Sequence, residues 1–192
     1  MPSNPIASIR PLKKPQLKAA AKGRAAAPRG GIVSSSHLVS PRSVELSEFE
    51  FGLIVAWNAF SRWAVRCMSA AGAADLTITD VLVLHHINHR ARNKKLADIC
   101  FVLNYEDTHV VAYSLKKLLA AGLAQADKVG KEVFYSPSES GEAAVQRYRE
   151  VREACLVDNL DGERNHDIGE LARLMRTMSG MYDQAARAAT SL

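Results

Sequence analysis

The apolar positions of the chain fall into six helical patterns and one alternating stretch, nearly all of them after residue 42. From Ser47 to about Ala71, Phe49, Leu53, Trp57, Phe60 and Ala64 recur at helical spacing and form one stripe. Phe51, Ile54 and Val55 add a second apolar side near the start, and Ser47-Glu-Phe-Glu50 matches a capping box. A helix apolar on two sides needs two neighbours, its own core and a partner subunit. Leu76-Thr77-Ile-Thr-Asp80 opens a second helix, with Thr77 or Thr79 as cap, running to about Asn88. Arg90-Ala-Arg-Asn-Lys-Lys95 is a polar, basic connection. Lys95 to Leu103 is a short third helix with Leu96, Ile99, Cys100 and Leu103 inward.

A fourth helix comes after Glu106, with Asp107 or Thr108 placed to satisfy its first backbone N–H groups. Val111, Leu115 and Leu118 make its buried stripe, and the other face carries Thr108, His109, Ala112, Tyr113, Lys116 and Lys117. Gly122 ends it, because a C-cap in the left-handed conformation suits glycine. An apolar back with a face of donors, an aromatic and cations fits base edges and phosphates in a DNA major groove. Any single amphipathic helix is more commonly a solvated face, so the decision rests on the residues beyond Gly122. There, Leu123-Ala-Gln-Ala-Asp-Lys and Lys131-Glu-Val-Phe-Tyr-Ser alternate around Val129-Gly130 and predict a hairpin with Lys128 and Lys131 at its tip. Ser138 caps a fifth helix to about Leu160, and Asp161-Gly-Glu-Arg-Asn breaks the pattern. In the last helix Ile168, Met175 and Tyr182 recur every seven residues, with Leu171, Met178 and Ala185 between them. That is the signature of a seam between helices, here between subunits.

Charge sharpens this picture. The formal net charge is +5, yet residues 1–42 hold eight Lys or Arg and no acid, leaving 17 basic against 20 acidic residues. Residues 90–131 carry eight basic and four acidic side chains, so positive charge concentrates on the tail and around the fourth helix. Residues 1–42, rich in Pro, Ala, Gly and Lys, bury too little to order themselves. They read as a basic arm adding non-specific DNA affinity, as an extension, or as a transit peptide. At 192 residues and 47% hydrophobic, the rest supplies one core over 43–192. No apolar run is long enough to span a bilayer, no secretory signal is evident, and three cysteines at unrelated spacings suggest reduced thiols in a cytoplasm.

Helix, helix, helix, groove helix, hairpin, helix is the winged helix-turn-helix order, and over residues 46–190 the chain resembles the MarR family of bacterial transcription regulators. The resemblance is carried by Leu76-Thr77, Leu96-Ala97, Val111 through Leu118 to Gly122-Leu123, and Ser138-Glu-Ser-Gly141 after the wing. It implies a mainly α fold with a β-hairpin wing, dimerisation helices at about 46–71 and 139–190, and a DNA-binding part at about 76–136. It also implies a homodimer on a pseudo-palindromic operator, a nucleoid-associated repressor by default, modulated by a small-molecule effector or by oxidation. The chain departs from the family in its wing, Asp127-Lys-Val-Gly-Lys131, which lacks the usual Arg, and in Ala112-Tyr113, which replaces Thr-Arg.

Several side chains are candidates for specific roles. Thr108, His109 and Tyr113 are expected to read bases, and Lys116, Lys117, Lys128 and Lys131 to hold phosphates. Trp57, Phe60, Trp63, Thr77 and His86 are candidates for an effector pocket or for plain core. Cys67, beside Arg66, is a candidate oxidant sensor or a buried inert thiol. His85, His86 and His89 share a helix, but no carboxylate or Cys completes a metal set nearby. No Gly-rich phosphate loop, nucleophile elbow or paired-carboxylate motif supports an enzyme or a cofactor. The alternative function is a winged-helix protein–protein module without specific DNA binding.

Overall fold

A computed structural model describes Val39 and residues 42–192, Arg92 excepted. The expected N-terminal arm therefore lies outside the described residues. The chain divides into two units, residues 1–51 and 52–192. The first contributes the opening turns of α1 (Val44–Ala70). Here the helix starts earlier than the Ser47 capping box predicts: Ser43 precedes it, with its hydroxyl accepting from the Leu46 N–H at 3.4 Å. Ser47 lies one turn inside.

The second unit holds the rest of α1, then α2 (Ile78–Asn88), α3 (Leu96–Leu103), α4 (Thr108–Ala120), the antiparallel strands β1 (Ala124–Val129) and β2 (Glu132–Pro137), α5 (Glu139–Cys155) and α6 (Gly162–Ala189). The strand register pairs Ala124 with Pro137 and Val129 with Glu132 around Gly130. One core joins these elements: Met68 from α1, Val83, Leu84 and Ile87 from α2, Ile99 from α3, Val111, Leu115 and Leu118 from α4, and Tyr148 from α5. The helical spacing of buried positions along α4 is what fixes which of its faces is left open.

Two local features fasten α4 to α5. Gly122 takes φ +70°, the left-handed conformation expected of the helix end. At Gly141 an added Cβ would lie 2.0 Å from the Leu123 carbonyl oxygen, so α5 approaches the chain after α4 at a distance only glycine permits. Ser138 closes the same joint. Its hydroxyl donates to the Gly122 carbonyl at 2.6 Å and accepts from the Gly141 N–H at 3.1 Å.

The second unit differs from the sequence expectation at its C-terminal end. α5 stops at Cys155 and a short 3-10 turn, Val157–Asn159, comes next. Asp161, expected to interrupt the pattern, instead caps α6 by accepting from the Arg164 N–H at 2.8 Å. α6 runs for 28 residues and buries none of them. Its Asp183 carboxylate accepts from the Asn104 amide at the end of α3, at 3.5 Å.

Candidate nucleic-acid interface

α4 begins at Asp107, whose carboxylate accepts from the His109 N–H at 2.9 Å. From there Val111, Ser114, Leu115 and Leu118 face the core. Thr108, His109, Tyr113 and Lys116 lie exposed, with Ala112 half-buried beside them. Tyr113 stands out furthest, at 72% exposure.

Lys117 departs from the expected phosphate role. Its ammonium donates to the Asp80 carboxylate at 2.8 Å and to the Asp75 carbonyl at 2.6 Å. Asp80 is 2% exposed and belongs to a capping box with Thr77, so Lys117 neutralises a buried charge at the start of α2. Burial alone would raise the Asp80 pKa, but the hydrogen bonds from Lys117 and Thr77 outweigh it and hold the carboxyl below its ordinary value. Lys117 is thus a tie between α4 and α2 rather than a cation aimed outward. The sequence pair Lys116-Lys117 hides this, because only the 100° step between neighbours on a helix separates the two roles.

The wing places Lys128 and Lys131 in the open near the Gly130 turn. Its base rests on two lysines that the sequence presents only as a basic connection. Lys94 pairs its backbone with Tyr135, N–H to carbonyl at 3.0 Å and the reverse at 2.8 Å, adding a rung to the edge of β2. Its side chain is buried at 6% residue exposure and donates to the Ile87 and His89 carbonyls, at 3.2 and 2.5 Å. These carbonyls end α2, where a helix dipole favours a cation. Lys95 pairs with Glu132 at 2.5 Å and lies 5.3 Å from the Phe134 ring centre. The wing is therefore fastened to the end of α2 by Lys94 and to the start of α3 by Lys95, whose partner Glu132 lies next to the Gly130 turn.

The effector-pocket candidates take different settings. Trp57 and Phe60 form an exposed ring pair on α1, 6.0 Å apart, while Trp63 packs half-buried against the core. Thr77 lines a hollow of about 410 Å³ with Asp80, Asp107, His109, Val110 and Tyr113. His86 lines a separate one of about 550 Å³ with His89, Arg90, Lys94, Asp98 and Val102.

Of its two readings, Cys67 has the setting of the buried thiol. It is buried, its thiol donates to the Tyr148 carbonyl at 3.5 Å, and burial, with the nearby Cys155, pushes its pKa up to about 11. The thiolate needed for oxidation is disfavoured there, Arg152 only partly offsetting it. Cys100 is buried as expected, whereas Cys155 is exposed. His85 packs edge-on against Tyr148 at 4.4 Å, and burial lowers its pKa. His86 is lowered too, by burial and then by Lys94. Among the described residues no group of three or more His, Cys, Asp or Glu is placed to hold a metal ion, and no helix is long and apolar enough to cross a membrane.

A family model of a winged helix DNA-binding domain matches residues 76–141, from the α2 cap to the glycine that seats α5. Solved structures agree in fold. A MarR family regulator from Neisseria meningitidis, NMB1585, superposes with a TM-score of 0.53 at 16% identity, covering 72% of this chain and 96% of that one. AbfR of Staphylococcus epidermidis gives 0.58 at 15% identity over 71% and 92% of the two chains. A second AbfR structure, overoxidized and bound to DNA, gives 0.53 at 15% over 69% and 93%. A probable transcriptional regulator from Pseudomonas aeruginosa reaches 23% identity at 0.50, over 65% and 96%. Among curated proteins no relative matches. Residues 76–141 thus match the model of a winged helix DNA-binding domain, within a chain that has the fold of the MarR-family regulators.

Proposed function

We propose that the protein is a DNA-binding transcription regulator acting as a homodimer, with repression through promoter occupancy as its outcome. The observation that carries this reading is the open face of α4. A winged helix leaves Thr108, His109, Tyr113 and Lys116 exposed while its remaining lysine is spent on a buried acid. Thr108, His109, Ala112 and Tyr113 would meet base edges, and Lys116, Lys128 and Lys131 phosphates. The homodimer is supported by the exposed Ile54, Val55, Trp57 and Phe60 of α1 and the exposed Ile168, Leu171, Leu174 and Met175 of α6. Large exposed apolar faces of this kind mark an interface.

Retardation of the duplex upstream of the protein's own gene, measured across a salt series, tests the reading. Binding should weaken steeply with salt, and Lys116→Ala should lower the slope of log K against log salt by about 0.9. Lys116 is the informative single variant, since removing Lys117 also disturbs Asp80. Unchanged affinity and slope in Lys116→Ala would remove α4 from the interface. A second reading, a protein-binding module, draws on Phe101, 86% exposed on α3. Absence of any DNA retardation, together with no retention on heparin, would favour it.

A further inference from the structure

We infer that the groove helix recognises thymine methyl groups, so that its target duplex is defined by where thymines lie rather than by guanines. The inference rests on the regulator reading and specifies its ligand. α4, Thr108-His-Val-Val-Ala-Tyr-Ser-Leu-Lys-Lys-Leu-Leu-Ala120, contains no Arg, Asn or Gln. Those side chains, with lysine, make the bidentate contacts that distinguish guanine and adenine in the major groove, and the proposed function gives exposed Lys116 to phosphate. Of the two lysines, Lys117 is engaged with Asp80 and Asp75. What the helix does present is apolar or ring-shaped: Tyr113 at 72% exposure, half-buried Ala112, exposed Val110, and the methyl of Thr108. Such groups distinguish bases chiefly by contact with the C5-methyl of thymine.

The surroundings agree. Tyr113, His109 and Val110 wall the hollow of about 410 Å³ whose other lining includes Asp80 and Asp107. With the Asp80 charge matched by Lys117 and the Asp107 carboxylate turned to the start of α4, the recess is lined by no Lys or Arg that would hold a phosphate, and it accepts a neutral, methyl-bearing base edge rather than the DNA backbone. The Tyr113 ring stands over this recess largely uncovered by the protein, free to lie against a base.

The test uses the full chain and a random-sequence duplex pool, enriched by repeated binding. The tightest duplexes are then remade with deoxyuridine for every thymidine, which deletes the methyl and keeps the pairing. One buried methyl is worth about a fourfold change in Kd, so two half-sites should weaken binding by roughly tenfold or more. Tyr113→Phe should keep the thymidine preference, and Tyr113→Ala should weaken binding to thymidine DNA while narrowing the preference. Tyr113 is surface-exposed, so both variants fold. Equal affinity for the two duplexes, or a full preference surviving in Tyr113→Ala, overturns the inference while the regulator reading stands. A pool that never enriches overturns both.

Discussion

Two amphipathic helices of this chain meet opposite fates. α4 sends Val111, Leu115 and Leu118 into a core shared with α2 and α3, whereas α6, more than twice as long, buries no residue. Both patterns read from the sequence as one-sided, and both are. The difference is that the 76–141 module closes on itself through short connections and a Gly122–Gly141 joint, while α6 follows the turn after Cys155 and meets the module at Asn104 through an exposed hydrogen bond from that amide to Asp183. An apolar stripe thus states that a face will be covered without stating by which chain. The module's stability is intramolecular; that of α6 would belong to the proposed dimer.

A large blow to this contrast should come from Gly141→Ala, whose Cβ collides with the Leu123 carbonyl. We expect a loss of about 3 kcal/mol from overpacking against backbone, read as a fall in the urea midpoint. Leu118→Ala, at a position with no exposure, should cost about 2 to 5 kcal/mol in the same titration. Its counterpart Leu171→Ala should leave unfolding of dilute protein within about 0.5 kcal/mol of the parent. It should instead weaken self-association in sedimentation equilibrium. Equal destabilisation of dilute protein by both substitutions would erase the distinction.

Asp80→Asn removes the charge that Lys117 and the Thr77 cap hold, and about 2 kcal/mol should be lost with those charge-assisted bonds. Because the folded Asp80 pKa is depressed, its contribution is complete above the ordinary value of 3.8 and disappears as pH falls through the lower folded value. The parent should therefore lose more stability than Asp80→Asn on acidification below pH 3.8, a difference visible in pH-dependent melting.

The smallest effect belongs to His85. Its folded pKa lies below 6.5, so the unfolded chain takes up the proton first and stability declines as pH drops below 6.5. His85→Phe, which preserves a ring against Tyr148, should flatten that part of the pH profile. A profile identical to the parent's would show that His85 is as hydrated when folded as when unfolded.

Much of the fold was legible because it is written in periodicity. The α4 stripe, the Gly122 cap, the Val129-Gly130 turn and the Ser138 cap all stand where spacing and turn chemistry put them. The side-chain roles were less so. Lys116 and Lys117 are chemically identical neighbours, and only the position of Asp80, 37 residues earlier, sends one inward. Lys94 looked like part of a solvated basic run, yet it is buried because the end of α2 offers it carbonyls. The activated one of the two readings of Cys67 used sequence adjacency to Arg66, whereas on a helix the two side chains point about 100° apart. The sequence left the effector-pocket candidates as pocket or plain core for a related reason: aromatic residues on a helix can line a cavity only if a second element lies opposite, and spacing does not say whether one does.

The Gly141 contact has a mechanical corollary. With no side chain as cushion between α5 and the end of α4, and with Ser138 bolting both sides, the two helices must travel together as a single stiff bracket. In the proposed dimer, any tilt imposed on α5 by subunit pairing would therefore re-aim Tyr113 without bending the module. The pitch at which two copies would engage a duplex would then depend on the short link at residues 156–161, so lengthening that link by a residue should alter the preferred separation of half-sites and leave the base preference of each half intact.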